Sequence, residues 1–252
     1  MERIQKLNGN ALKIIAAISM LLDHAGLLLF PKIILFRIIG RIAFPIFAFM
    51  IAEGARYTRS RVRYFLGIFG LGSACQLVYF FFSSDLYMSI LMTFSVSILL
   101  IYELQEFKRA FFAKNRNNVK TVLLGALFLG SVIGMYFLME AVAFDYGSIG
   151  CMIPVIASLF DLRGIDAPRS IKKFDNLYVR VGCLGLGVLF QATYAFIVGG
   201  NEIQLFALIG AALLFLYSGK RGTARLKYFF YIFYPAHLVI LEGIYILFRY
   251  IL

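Results

Sequence analysis

The chain holds two histidines, His24 and His237, each inside an apolar stretch that also carries other ionisable residues. Asp23 precedes His24, Arg37 and Arg41 lie in the next apolar run, Asp145 opens a later one, and Glu242 follows His237. An imidazole titrates near neutral pH, so it can take a proton from an attacking amine or hydroxyl. A guanidinium can hold a carboxylate or a developing oxyanion. Arg37 and Arg41 are four residues apart and share a helical face; Tyr231, Tyr234 and His237 recur every three residues and share another. Asp23 and His24 are adjacent and point about 100° apart, so a carboxylate from another helix, Asp145 or Glu242, is the better orienter of His24. The three cysteines form no metal or redox spacing.

The elements that carry these residues follow from composition. The 252 residues are 62% hydrophobic and 15% charged, against roughly 45–50% and about 25% in soluble proteins. That excludes a water-soluble domain and leaves an all-α, polytopic membrane bundle, read as one domain over 1–252. Nine stretches have the composition of bilayer spans: Ala11–Phe30, Ile33–Ala55, Val62–Phe82, Tyr87–Glu103, Thr121–Met139, Ala141–Phe160, Leu177–Val198, Ile203–Tyr217 and Tyr228–Tyr250. A charge near the bilayer centre costs a few kcal/mol, so the ionisable residues inside these spans face the bundle interior.

The net charge of +12 would suggest nucleic acid in a soluble chain, but here it reports topology. Arg3, Lys6 and Lys13 open the first span; Arg56, Arg59, Arg61 and Arg63 follow the second; Lys108, Arg109, Lys114, Arg116 and Lys120 follow the fourth. Arg163, Arg169, Lys172, Lys173 and Arg180 follow the sixth, and Lys220, Arg221, Arg225 and Lys227 the eighth. Thus 21 of 25 cations fall on alternate connections, whereas the others carry Ser83-Ser84-Asp85, Glu140 and Gly199–Glu202, with Lys32 as their one clear cation. Cationic connections stay in the cytoplasm, which puts the N-terminus inside and the C-terminus outside a plasma membrane. At about 1.5 Å per residue, His24, Arg41, Asp145, His237 and Glu242 then converge in the outer half of the bilayer.

Other signals are structural. Asp23-His24 interrupts the first apolar run and no small-residue cleavage site follows, so that run reads as a mature helix. Cys75, Cys151 and Cys183 lie within spans, and Cys151 reads as a small core residue rather than an acyl-carrying thiol. Ser218-Gly219-Lys220 lacks the earlier glycine of a phosphate loop. Pro45, Pro154 and Pro235 release the carbonyls of Arg41, Gly150 and Tyr231, and Gly40–Pro45 reads as the wall of a polar cavity. Arg37 either lines that cavity or reaches outward to headgroups, for which Arg41 is too deep. His237 either shares the chemistry of His24 or stabilises the break at Pro235. The arginines from Arg56 to Arg63 set topology first and have phosphate binding as a second reading.

The blocks Met20-Leu21-Leu22-Asp23-His24, Gly40-Arg41-Ile42-Ala43-Phe44-Pro45-Ile46-Phe47-Ala48-Phe49, Ala52-Glu53-Gly54 with Thr58, and Phe230-Tyr231-Ile232-Phe233-Tyr234-Pro235-Ala236-His237 occur in that order. Asp145–Gly150 is the best anchor between them. This pattern resembles the TraX family of integral membrane proteins, whose named member acetylates the N-terminus of conjugative pilin. That family is similar to a wider group of transmembrane acyltransferases, including the lysosomal heparan-glucosaminide acetyltransferase.

The resemblance implies an acyltransferase that carries an acyl group from cytoplasmic acyl-CoA to a peptide, protein or glycan acceptor at or beyond the membrane. His24, Arg41 and His237 occupy the matching motif positions, and Asp23, Asp145 and Glu242 complete the catalytic candidates. Arg37, Glu53, Arg56, Thr58, Arg59, Arg61, Arg63, Tyr231 and Tyr234 are the candidates for contacting acyl-CoA, whose pantetheine arm would reach towards His24. Neither a metal nor nucleic acid is expected. The competing reading is a transporter or flippase, which also uses broken helices around midplane charges. The chain has no clear internal repeat of the kind many transporters carry. A scaffold would not require two buried histidines.

Overall fold

A computed structural model describes residues 6–83, 87–224 and 226–251. Arg3, Ser84, Asp85 and Arg225, used in the charge reading, lie outside the described residues. Among the described residues every regular element is helical. The helices are α1 (Gly9–Leu28), α2 (Ile34–Gly40), α3 (Ala43–Tyr57), α4 (Arg61–Ser83), α5 (Ile90–Phe111), α6 (Asn118–Ala141), α7 (Gly147–Ala157), α8 (Arg169–Lys172), α9 (Leu177–Gly199), α10 (Ala207–Leu213) and α11 (Lys227–Ile251). Short 3-10 turns, Glu202–Phe206 and Leu214–Leu216, flank α10.

Among the described residues, six helical segments are long and apolar enough to cross a membrane: Gly9–Leu28, Ile34–Tyr57, Ile90–Phe111, Asn118–Ala141, Leu177–Gly199 and Phe229–Arg249. Gly147–Ala157 and Glu202–Leu216 are apolar but shorter. Each of the nine apolar stretches holds helix, but six rather than nine segments qualify as spans, α4 on the third stretch not being among them, and the boundaries differ from the expected ones in ways that matter. The fourth stretch runs on to Phe111 rather than stopping at Glu103, which draws Lys108 into a helix. The sixth begins at Gly147 rather than Ala141, because Tyr146 and Gly147 both take positive φ (62° and 57°) and make a turn there. Asp145 accordingly precedes the helix instead of lying within it.

Local chemistry explains the main helix ends. The Asn8 side chain accepts from Ala11 N at 2.9 Å and caps α1, and Asn117 accepts from Lys120 N at 3.0 Å and caps α6. The second stretch is broken at Arg41 and Ile42, which separate α2 from α3. Pro45 falls in the first turn of α3, where a missing N–H leaves no intrahelical bond unmade.

The described residues form two compact units, Met1–Met50 with Val188–Leu252 and Ile51–Gly187. In the first, Leu12, Ala16, Ile46, Phe49, Val188 and Leu214 are fully buried. Its opening segment is tied to the chain after α10: Leu7 N donates to Leu216 O, Ser218 N to Leu7 O, and Gly9 N to Lys220 O. In the second, Ala55, Leu100, Ile101, Leu104, Met135, Met139, Cys151 and Val155 make one core cluster. Cys151 is wholly buried there, with Ser97 Oγ donating to its carbonyl at 2.8 Å, as a small core residue should be. Outward-facing apolar side chains such as Val122, Leu127, Ile133 and Phe137 on α6 suit a helix bathed in lipid.

Candidate functional site

Within the first unit, α1 and α2 approach closely because glycines stand where they meet. A Cβ built at Gly26 would lie 2.8 Å from Phe36 Cβ, and one built at Gly40 would overlap the Asp23 side chain. The Gly-Arg pair thus works as a unit: Gly40 admits the carboxylate and Arg41 binds it. Arg41 Nη2 donates to both oxygens of Asp23, at 2.6 and 2.7 Å, and Nη1 donates to Gln204 Oε1 at 3.2 Å. Arg37 Nη1 pairs with Asp23 Oδ2 at 2.8 Å and also reaches the Asp23 carbonyl at 3.3 Å. From the other side, a Cβ at Gly210 on α10 would come 2.5 Å from the Ile42 carbonyl, so α10 is packed against the break between α2 and α3.

The two histidines meet in the same unit. Their ring centroids are 5.1 Å apart and the planes cross at 68°. His24 Nδ1 is 2.9 Å from the Met20 carbonyl, and His237 Nδ1 is 2.8 Å from the Phe233 carbonyl. A carbonyl only accepts, so in each neutral ring Nδ1 is the donor and Nε2 keeps the lone pair. His237 is 4% exposed, and its Nε2 has no hydrogen-bond partner among the described residues. Phe233 stacks on its ring at 5.0 Å and Tyr234 meets it edge-on at 5.8 Å. His24 is partly exposed. The pair therefore presents two imidazoles of defined tautomer, one open and one buried.

The carboxylate expected to orient His24 is replaced by the Met20 carbonyl. Asp145 lies in the second unit, where the Tyr87 hydroxyl donates to it at 3.0 Å and Thr93 Oγ1 donates to its carbonyl at 2.8 Å. Glu242 is half-buried on α11 and makes no hydrogen bond or ion pair among the described residues. Asp23 serves the arginines, not the imidazole. Arg41, whose guanidinium is one of the groups that could hold a developing oxyanion, spends both terminal nitrogens on Asp23 and Gln204.

The arginines from Arg56 to Arg63 divide into two kinds. Arg56 Nη1 pairs with Asp161 at 2.5 Å and with Asp175 at 2.6 Å, and Arg61 pairs with Glu106 at 2.5 Å. Arg59 and Arg63 are exposed and their guanidiniums have no partner among the described residues. Thr58 Oγ1 donates to the Ser60 carbonyl at 3.1 Å and shapes the turn into α4. Glu53 is buried against Arg180, its ion-pair partner.

Several polar residues of this second unit carried no signal in the charge count, or the wrong one. Lys108 and Arg180 read as connection cations, yet both are buried. Lys108 Nζ donates to the carbonyls of Ser158, Leu159 and Asp161 at 2.9, 3.2 and 2.8 Å, closing the C-terminal end of α7. Gln105 Nε2 donates to Asp161 at 3.1 Å. Asp161 and Asp175 were legible as carboxylates within an otherwise basic connection. Gln204, in the first unit, was legible only as a lone amide in an apolar stretch.

A 38-residue stretch, 15% of this chain, is 55% identical to the uncharacterized protein RP591 of Rickettsia prowazekii (strain Madrid E) and spans 15% of that protein. No solved structure matches the chain. The model of the TraX protein family matches residues 8–245, from the cap of α1 into α11, and takes in every residue of the Asp23–Arg41 cluster and both histidines. The chain belongs to the TraX family of membrane proteins.

Proposed function

We propose that this protein is a multi-pass plasma-membrane acyltransferase that moves an acyl group, most simply acetyl, from acyl-CoA to an amine or hydroxyl of a peptide, protein or glycan acceptor. The observation that carries the proposal is the histidine pair with both Nδ1 atoms tied to carbonyls and both Nε2 lone pairs left for chemistry. His24 Nε2 accepts the proton of the acceptor amine or hydroxyl as its heteroatom bonds to the thioester carbonyl carbon. The tetrahedral intermediate collapses, the carbon–sulfur bond breaks, and the departing thiolate takes the proton from the imidazolium. Tyr234 is the side chain we assign to the oxyanion, given how fully Asp23 and Gln204 occupy Arg41. His237 stands behind His24 as a second proton-holding group.

For the phosphates of coenzyme A, Arg59 and Arg63 are the members of the basic cluster whose guanidiniums are uncommitted, and they carry that role in this proposal. Arg56, Arg61 and Glu53 shape the surroundings through their ion pairs.

Nine spans with the N-terminus inside remain our reading of topology. Contacts between connections support it, because they join like with like. The N-terminal segment pairs with the eighth connection at Leu7 and Tyr217, and the third pairs with the fifth at Met88 and Phe144. The second meets the sixth through Arg56 and Asp161.

The test is direct. Purified protein given labelled acetyl-CoA and an acceptor should release free coenzyme A and label the acceptor, and His24→Ala should reduce this by about 10²–10⁴-fold. Undiminished turnover in that variant removes His24 as the base. The break between α2 and α3 beside buried charge favours a transporter as second reading. Substrate flux without acetyl-CoA binding would establish that instead.

A further inference from the structure

Three charged groups meet where α1 faces α2, and they do not balance. One carboxylate, Asp23, serves two guanidiniums, Arg37 and Arg41. Glu202 and Glu242, the other carboxylates described in this unit, form no ion pair among the described residues. A surplus cation in apolar surroundings is unfavourable unless something compensates it.

The surplus falls on Arg37. Arg41 uses Nη2 on Asp23 and Nη1 on Gln204, and its side chain is 11% exposed. Arg37 uses Nη1 alone, for both the carboxylate and the carbonyl of Asp23. Its Nη2 and Nε make no hydrogen bond to a described residue, and its side chain is 29% exposed. The carbonyl it holds belongs to the peptide bond between Asp23 and His24. The guanidinium is therefore anchored, through Nη1, beside the backbone of the residue that bears the proposed base, and its Nη2–Nε edge stays open. Two parallel N–H donors on a planar cation match the two oxygens of a carboxylate or phosphate.

We infer that Arg37 is the receiving group of an oxyanion site, taking a carboxylate or phosphate carried by the acceptor or by a lipid headgroup. Asp23 holds Arg37 by one edge and leaves the other for the ligand. The inference rests on the acyl-transfer reading only where it names the acceptor as a source.

The experiment uses the full chain in phosphatidylcholine nanodiscs, treated with the arginine reagent phenylglyoxal, with modification at each arginine followed by peptide mass spectrometry. Arg37 should react and the committed Arg41 should not. Saturating N-acetylglycine or inorganic phosphate should slow reaction at Arg37 about tenfold, the effect of one charge-assisted contact, whereas neutral N-acetylglycinamide should not. Protection by these soluble probes assigns the site to an acceptor's anion. Protection seen only in phosphatidylglycerol nanodiscs assigns it to a headgroup. An Arg37 that does not react, or reacts equally in every condition, overturns the inference. Acetyl-CoA turnover by the same preparation tests the other reading separately: anion protection without turnover keeps the oxyanion site and removes acyl transfer.

Discussion

The two compact units handle buried charge in opposite ways. In the unit formed by Ile51–Gly187, charges are matched and enclosed: Glu53 with Arg180, Arg56 between Asp161 and Asp175, and Lys108 on three carbonyls. In the other unit, Asp23 faces two arginines, and among the described residues His237 Nε2 has no hydrogen-bond partner and Arg37 keeps two donor nitrogens uncommitted. Matched groups tie α3, α5, α7 and α9 together, although Arg56 Nε and Glu103 Oε2 of the same unit are buried without a hydrogen-bond partner among the described residues. Unmatched groups cost stability, and a fold retains them where they act on something else. Abundance of charge is thus a poor guide to which groups in this protein are left open to a ligand.

That contrast can be broken from either side. The largest effect should come from His24→Ala, which should abolish acyl transfer to within the limits given above while leaving the unfolding temperature in detergent little changed. Loss of stability as large as the loss of activity would make His24 a packing residue. Next, Glu53→Ala strands the Arg180 guanidinium in a buried site and should destabilise the protein by about 3–5 kcal/mol, read from thermal or denaturant unfolding. Replacing both residues of that pair with methionine should restore most of the loss, since no unpaired charge then remains. Gly40→Ala places a methyl group on the Asp23 side chain and should cost about 1–3 kcal/mol, with a fall in turnover as the Asp23–Arg41 contact opens. The smallest change should be in Arg59→Ala combined with Arg63→Ala. These exposed side chains should alter stability by less than about 0.5 kcal/mol, yet raise the KM for acetyl-CoA several-fold if they meet its phosphates. An unchanged KM would remove them from the substrate path.

Much of this was legible in the residue order. Both histidines, Asp23, Arg37 and Arg41 announced themselves because ionisable groups in apolar runs are costly, and the structure does gather these five in one unit. The helical character of each apolar stretch followed from length and hydropathy. Asp145 was misread as part of a span because hydropathy does not register that Tyr146 and Gly147 adopt positive φ. Lys108 and Arg180 were misread as topology signals because a cation at a helix end looks the same in sequence whether it points to water or inward. The partner of the His24 imidazole could not be read either, since a backbone carbonyl on the same helix leaves no trace in residue type.

Sequence alone therefore determined that the chain is a helical membrane protein, which stretches are helices, and which few ionisable residues require explanation. These are consequences of burial energy and backbone hydrogen bonding, which depend on composition and local order. Only the tertiary structure decided which charges are neutralised and which are left open, because pairing depends on contacts between helices far apart in the chain. Arg56 and Arg37 are the same residue type at the margins of the same broken span. Two carboxylates close on one, and a single shared carboxylate leaves the other with donors to spare.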